Sequence, residues 1–310
     1  MKVVSLLPSA TEIVGCVGGQ ALLVGRSHEC NYPPGVCALP ILTGATNKFE
    51  NSAQMHLAVQ ETLAKGDGLY YIDEELLKEL DPDVIVTQSV CAVCSVDFKM
   101  VHRFAQTLNR VPKVIDLNPQ SLSEVIDDCR VVGEAVGLTE EAEKGIKGLK
   151  DRIEIATSIA KAKMSTSKKI EVAFMEWVDP IFIGGHWTPE IIGMAGGHHS
   201  LNPPRDGTGA GKSIVVTPEK LLESDPDWVV ICPCGLDLDE TKTELKPVVQ
   251  REWWGKLRAL KEGRVVLVDG DQMFNRPGPR LVDGLEFLVG LLHGQPDLIP
   301  KTFPWQYLQP

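Results

Sequence analysis

Seven short apolar runs punctuate the chain: Val3 to Leu7, Leu22 to Val24, Val84 to Thr87, Val114 to Asp116, Val172 to Trp177, Val229 to Cys232 and Val265 to Val268. Most are rich in β-branched residues and too short to be helices, which predicts strands buried on both faces of a sheet. Between them the apolar positions recur at three and four residues, the helical period. Strands alternating with helices predict an α/β fold with mostly parallel sheets.

One part of the pattern occurs twice. "EELLKELDPDVIVTQSVC" and "PEKLLESDPDWVVICPCG" each read as an amphipathic helix, an Asp-Pro-Asp turn and a strand, with Asp81 and Asp225 in equivalent places. The proline stops each helix, and the strand then delivers its carboxyl end to a loop. In open α/β sheets ligands bind outside those carboxyl ends, so the two following loops are where a site is expected.

Between the copies the chain turns helical. In "SLSEVIDDCRVVGEAVG", Ser121 and Glu124 are spaced as a capping box and Gly137 is a terminator. Thr139 opens a second helix predicted to run to about Lys163, roughly 37 Å at about 1.5 Å per residue. It is long enough to join two lobes. The expected division is an N-terminal α/β lobe over 1–118, linking helices over 119–165 and a C-terminal α/β lobe over 166–310.

Charge narrows the partners. A net charge of -11 with no basic run excludes nucleic acid as the main partner and disfavours an anionic membrane surface. No apolar run approaches the roughly 18 residues of a membrane span, so no direct membrane insertion is expected. The apolar stretch after Lys2 stops at Pro8 and has no cleavage pattern behind it, so it reads as a strand and not as a leader. With eight cysteines, this places the chain in the cytoplasm with reduced thiols, and a monomer is expected.

Candidate chemistry follows the strand ends. Cys91 and Cys94 have the C-x-x-C spacing of a metal clamp or a redox dithiol, and Cys232 and Cys234, only one residue apart, form a second pair after the strand of the second copy. Four converging sulfurs would suit zinc or an iron–sulfur centre; buried packing is the plainer alternative. "RSHECNYPP" places His28 and Tyr32 in one loop. "GGHWTPE" sets His186 and Trp187 at a helix start, with Trp187 expected to be exposed and Trp177 in the core. "DQMFNRPGPRLVDGLEFLVGLL" supplies Phe274, Arg276 and Arg280, two arginines able to grip an acidic ligand group, ahead of a helix with Leu281, Leu285 and Leu288 on one face. "RDGTGAGKS" is not a phosphate-binding loop, because Asp206 stands where the first glycine must be and an extended run follows Ser213. No nucleophile elbow, zinc-protease helix or paired-carboxylate motif is present, and no enzymatic activity is expected.

Taken together, "VVSLLPSATEIVGCVGG", "NYPP", "DPDVIV", "DPDWVV" and "FNRPGPRLVDGLEFL" resemble, in order and over nearly the whole chain, the substrate-binding proteins of vitamin B12 and iron-siderophore importers. The resemblance is to the cobalamin-binding branch and implies a class III binding fold, two α/β lobes joined by a rigid helix, holding cobalamin or another metal chelate in the cleft between them. It implies ligand contacts at Tyr32, Trp187, Phe274, Arg276 and Arg280, to which the loop reading adds His28 and His186. An ABC transporter partner is doubtful on the sequence, since neither an export signal nor the family's docking glutamates can be placed. The alternative expectation is an intracellular metalloprotein or thiol-redox enzyme using Cys91, Cys94, Cys232 and Cys234.

Overall fold

Strands form where the apolar runs predict them, in a computed structural model that describes residues 1–65, 68–89, 98–164, 169–204 and 211–308. The chain divides into two compact units. The first comprises Met1–Glu50, Gln54–Pro119 and Ser123–Leu149; the second comprises Asn51–Ala53, Gln120–Leu122 and Lys150–Pro310.

In the first unit the elements run β1 (Val3–Ser5), α1 (Pro8–Cys16), β2 (Leu23–Gly25), β3 (Thr43–Ala45), α2 (Ser52–Lys65), β4 (Tyr70–Ile72), α3 (Glu74–Leu80), β5 (Val84–Gln88), α4 (Phe98–Ala105), β6 (Lys113–Leu117) and α5 (Leu122–Ala135). Four strands pair in parallel in the order β2-β1-β5-β6, while β3 and β4 form a separate antiparallel ribbon. Burial of β1 and β5 on both faces explains their apolar runs: Val4, Leu6 and Ile85 pack with Leu42, Leu77, Val101 and Phe104.

Helix α6 (Thr139–Met164) starts in the first unit and ends in the second. Its 26 residues match the predicted long helix, and Gly137 sits before it in the left-handed region at φ 72°. The amide of Leu138 reaches back to the carbonyl of Gly133, closing α5 as a glycine terminator does.

The second unit continues with β7 (Ile170–Val178), β8 (Ile181–Ile183), α7 (Thr188–Met194), β9 (Gly197–His198), β10 (Ile214–Val215), α8 (Pro218–Glu223), β11 (Trp228–Ile231), α9 (Leu238–Val249), α10 (Arg258–Lys261), β12 (Val265–Val268), α11 (Leu281–Leu292) and β13 (Trp305–Tyr307). Its sheet has the order β10-β8-β7-β11-β12-β13, with β9 also on β7. The centre β7-β11-β12 is parallel; β8, β10 and β13 add antiparallel margins that the apolar runs do not predict. Leu281, Leu285 and Leu288 of α11 are buried as expected.

The Asp-Pro-Asp repeat is reproduced atom by atom. Asp81 and Asp225 both take the left-handed conformation, at φ 45° and 40°. The second aspartate then accepts a main-chain N–H from the neighbouring strand: Asp83 Oδ2 from Lys2 at 2.7 Å, and Asp227 Oδ2 from Glu171 at 2.8 Å. An arginine spans both carboxylates in each copy, Arg110 in the first and Arg258 in the second. A further likeness emerges between "ATEIVGCVGG" at α1 and "TPEIIGMAGG" at the first helix after β7, with Gly18 and Gly196 at φ 79° and 83°.

Candidate functional site

Each unit presents a set of loops at the carboxyl ends of its parallel strands, where the sequence places most of the candidate chemistry. In the first unit the loop after β2 is organised by Arg26. Its buried guanidinium donates to the carbonyls of Ser27 and Cys30 at 3.0 Å, to that of Cys37 at 3.1 Å and to that of His28 at 3.4 Å. One fixed fork of donors thus gathers loop carbonyls that would otherwise need water. Thr11 ties the same loop to the end of β1, bonding Ser5 Oγ at 2.8 Å and lying 3.0 Å from Cys30 Sγ.

His28 is half-buried in this loop. Its Nδ1 lies 2.8 Å from Thr43 Oγ1, and its ring tilts against Tyr70 at 5.8 Å. Burial, reinforced by the Arg26 charge, holds its pKa below 6.5, so the imidazole is neutral at pH 7. Tyr32 follows with a cis bond to Pro33 and a 39% exposed side chain. The Pro33 ring packs against α1 so closely that a Cβ at Gly15 would lie 3.0 Å from it, and Gln20 donates to the Pro34 carbonyl at 2.7 Å. His28 and Tyr32 therefore stand on one braced loop.

In the second unit the loops after β11 and β12 are laced together. Asn275 Nδ2 donates to the carbonyl of Gly270 at 2.8 Å and to that of Cys232 at 3.2 Å. Gly270 passes so close to Pro233 that an added Cβ would lie 1.7 Å from the Pro233 carbonyl oxygen; only glycine fits. At the end of β7, Glu176 accepts from Ser213 Oγ at 2.8 Å, and burial raises its pKa. His186, at φ 51°, has Nδ1 3.5 Å from Gln120 Oε1, stacks on Trp187, and is held below its ordinary pKa by burial and Lys212.

Several expectations are corrected by this geometry. Trp187 is 7% exposed, not a surface platform, because its indole N–H is spent on the Phe274 carbonyl at 2.7 Å. Trp177, expected in the core, is only half-buried and donates to the Ser52 carbonyl at 3.2 Å. Phe274 is a core residue, edge-on to Phe174 at 4.9 Å and also against Phe287 and Phe303. Arg276 and Arg280 are buried as well; Arg276 pairs with Asp271 at 3.1 Å and Arg280 donates to Gln272 at 2.7 Å, so both brace their own loop.

The sulfurs divide likewise. Cys232 is fully buried, and desolvation first, then the nearby charges of Cys234, Glu176 and Asp269, raises its pKa, keeping it a thiol. Cys234 is exposed, so the pair does not share one environment. Cys91 and Cys94 lie outside the described residues, as do Arg205 to Ala210 of the glycine-rich segment. Among the described residues no three His, Cys, Asp or Glu side chains are placed to hold a metal ion. The extended run after Ser213 is strand β10, as the rejection of a phosphate loop requires.

Arg26, Glu176, Thr43 and Asn275 were not singled out from the sequence. Glu176 had a signal, a charge interrupting the apolar run "VAFMEWV"; Arg26 had a weaker one as the first charge after a strand. Thr43 and Asn275 had none.

Comparison with known proteins bears on what these loops serve. The model of the family described as "Periplasmic binding protein" matches residues 3–272. The "Uncharacterized ABC transporter substrate-binding lipoprotein YvrC" of Bacillus subtilis (strain 168) is 28% identical over 308 residues, covering 97% of this chain and 81% of that protein. The periplasmic vitamin B12 binding protein BtuF of Vibrio cholerae superposes with a TM-score of 0.66 at 18% identity, over 95% of this chain and 97% of that one. The periplasmic heme-binding protein RhuT from Roseiflexus sp. RS-1 in apo form gives 0.69 at 18% identity, over 95% and 98%. The fold is thus the two-lobed α/β fold of class III binding proteins.

These relatives are lipoproteins and periplasmic proteins, which act outside the cytoplasm, and this overturns the cytoplasmic expectation. They are binding proteins and not enzymes, and the doubt about an ABC transporter partner is not upheld. Among the described residues no helix is long and apolar enough to cross a membrane. The chain belongs to the periplasmic binding protein family.

Proposed function

We propose that the protein captures a metal chelate of the cobalamin or heme class outside the cytoplasm and delivers it to an ABC transporter, the strand-end face of each unit supplying contacts. The observation that carries this reading is the His28 imidazole, neutral, half-buried, with Nδ1 engaged by Thr43 beside the exposed Tyr32. With Nδ1 engaged, Nε2 is the ring nitrogen left to coordinate a metal centre; it lies 3.8 Å from Glu29 Oε1, the group a metal would face beside it. Tyr32 supplies a flat face with a polar tip for a macrocycle. His186 stands in the second unit as a further polar contact, and Trp187, Phe274, Arg276 and Arg280 act from behind by shaping the loop that carries them. Two of the matched structures, a vitamin B12 binder and a heme binder, lend the ligand class further support.

Titration of the purified protein with aquocobalamin, hemin and a ferric hydroxamate, followed by absorbance and calorimetry, tests the reading. One of them is expected to bind with a shift of its visible band, and His28→Ala to weaken it about tenfold or more, roughly 1.4 kcal/mol. Absence of heat and of any band shift with all three ligands defeats the ligand class; full affinity in both His28→Ala and Tyr32→Ala defeats the site.

A further inference from the structure

Cys30 and Cys37 bracket the segment "CNYPPGVC" that carries Tyr32, and both are free thiols. The segment doubles back on itself. The Val36 amide donates to the Pro33 carbonyl at 3.3 Å, Gly35 takes the left-handed region at φ 93°, and a 3-10 turn follows over Val36–Ala38. That reversal returns Cys37 to the start of the segment, where its Sγ lies 4.0 Å from the Cys30 carbonyl oxygen. The Arg26 guanidinium fixes the approach, with Nη1 on the Cys30 carbonyl at 3.0 Å and Nη2 on the Cys37 carbonyl at 3.1 Å. Two residues seven positions apart thus have their carbonyls on one planar fork and one sulfur against the other's main chain. Disulfide partners need this kind of proximity, since the bond spans Cα atoms about 4.4–6.8 Å apart.

The two sulfurs differ in access. Cys37 is exposed, whereas Cys30 is 1% exposed with its Sγ 3.0 Å from Thr11 Oγ1. Thr11 also donates to Ser5 Oγ at 2.8 Å, so a Cys30 sulfur that turns away leaves the threonine bonded. Rotation about the Cys30 Cα–Cβ bond is the movement required, because that torsion alone directs the sulfur. A reachable thiol beside a sheltered one has the roles of an attacking and a resolving thiol. The relatives act outside the cytoplasm, where disulfides form and persist.

We propose that Cys30 and Cys37 form a disulfide that staples the Tyr32 loop, made by exchange with a small-molecule disulfide. Cys37, its proton lost to solvent, attacks one sulfur of the reagent, forming a mixed disulfide and expelling a thiolate. Cys30 then gives its proton to solvent and attacks Cys37 Sγ, forming the Cys30–Cys37 bond and expelling the second thiolate. Two protein thiols are oxidised to one disulfide, and the reagent is reduced to two thiols. The closed ring contains Tyr32, and the new bond does for the side chains what Arg26 does for the carbonyls. Its formation does not depend on the ligand proposed above.

Both cysteines fall in one tryptic peptide, Ser27 to Lys48, which holds no other cysteine. The full chain, reduced and freed of reductant, is incubated natively with graded oxidised glutathione, unfolded in an alkylating agent, digested without reduction and analysed by mass spectrometry. The expected product is this peptide two hydrogens lighter and free of alkyl groups, from a chain that runs as a monomer on a non-reducing gel. The oxidised wild type is expected to show a higher urea midpoint than the reduced one, and Cys37→Ser, a change at an exposed position, to show one midpoint under both conditions. Cys30→Ala is expected to retain glutathione on Cys37; if that variant does not fold, the wild-type peptide and Cys37→Ser decide. Glutathione kept on Cys37 of the wild type, with Cys30 alkylated, overturns the proposal. So does a link from either residue to another cysteine, or a bond that forms only once the chain is unfolded in urea.

Discussion

Trp187 donates its indole N–H to the main-chain carbonyl of Phe274 across 2.7 Å, in a region where both side chains are almost wholly buried. Trp187→Phe keeps most of the ring but leaves that carbonyl without its donor. The expected cost is about 1–3 kcal/mol, the range for an orphaned buried acceptor. Urea denaturation with unchanged m-value is the measurement; a midpoint equal to that of the wild type would show that water replaces the indole.

That bond also shows where sequence reading stops. Strand runs such as Val84 to Thr87 and the long helix from Thr139 were legible because burial on both faces, or a sustained helical period, writes itself into consecutive residues. Strand β8, only Ile181–Ile183 between a proline and a glycine, is too short to carry a period, and β13 is held by pairing with β12 more than by its own pattern. The exchange of roles between Trp177 and Trp187 had no local signal. Which tryptophan is covered depends on Phe274, distant in sequence. The loop containing His28 and Tyr32 was legible as a cluster of unlike polar residues after a strand, while the Arg26 clasp beneath it was not, since carbonyl acceptors leave no trace in side-chain identity.

The repeated aspartates are expected to behave alike but not equally. Asp227→Ala removes the acceptor of the Glu171 amide at a half-buried position and is expected to cost about 1.5–3 kcal/mol. Asp83 is held below the ordinary 3.8, first by the Lys2 amide and then, against some burial, by Arg110 and other positive charges. A carboxyl with a lowered folded pKa stabilises the protein above its unfolded pKa, and that contribution disappears as pH falls through the folded value. Asp83→Asn is therefore expected to flatten the acid limb of the stability curve below about pH 4. An acid limb identical to that of the wild type would remove Asp83 from this role.

Arg152 on α6 reaches Glu286 Oε2 at 2.6 Å and Asp283 Oδ1 at 2.5 Å on α11. Despite this partner, burial raises the Asp283 pKa, so the acid contributes less stability as pH rises through its folded value. Arg152→Met strips the compensating charge and drives that pKa further up. The expected loss is about 2–3 kcal/mol near pH 8, less than for a wholly buried pair because Arg152 is over a third exposed, and smaller near pH 5. Urea midpoints at the two pH values decide; an equal loss at both excludes protonation of Asp283 as the relief.

Two helical glycines are expected to respond in opposite directions to alanine. Gly148 in α6 has nothing within 4 Å of an added Cβ, so Gly148→Ala is expected to stabilise by about 0.5–1 kcal/mol. At Gly133 the Cβ would lie 2.3 Å from the Ala142 Cβ, and overpacking is expected to outweigh the helix preference, a net loss of about 1–3 kcal/mol. Thermal melts of both variants check the pair, and stabilisation by Gly133→Ala would mean that α5 and α6 separate at little cost.

The His28 imidazole is expected to titrate below 6.5, which an NMR pH series on the free protein reads directly. Because the neutral form is the one favoured in the folded state, stability is lost as pH falls through that depressed value. Coordination of a chelated metal through Nε2 also requires the neutral ring, so affinity for the ligand should drop over the same range. Affinity that stays level while the His28 signal titrates would separate the residue from the metal.

The aspartate that grips the neighbouring strand's amide sits at the start of its strand, whereas the candidate ligand loops leave from the other end. Because side chains alternate along a strand, a slip of one residue would turn every side chain to the opposite face of the sheet. Asp83 and Asp227 therefore act as alignment pins. Their grip at Lys2 and Glu171 settles, several residues upstream, which side of the sheet Ser5 and Glu176 will face and hence what each strand hands to its loop. In that sense, the accuracy of a recognition surface is decided at the end of the sheet that a ligand never meets.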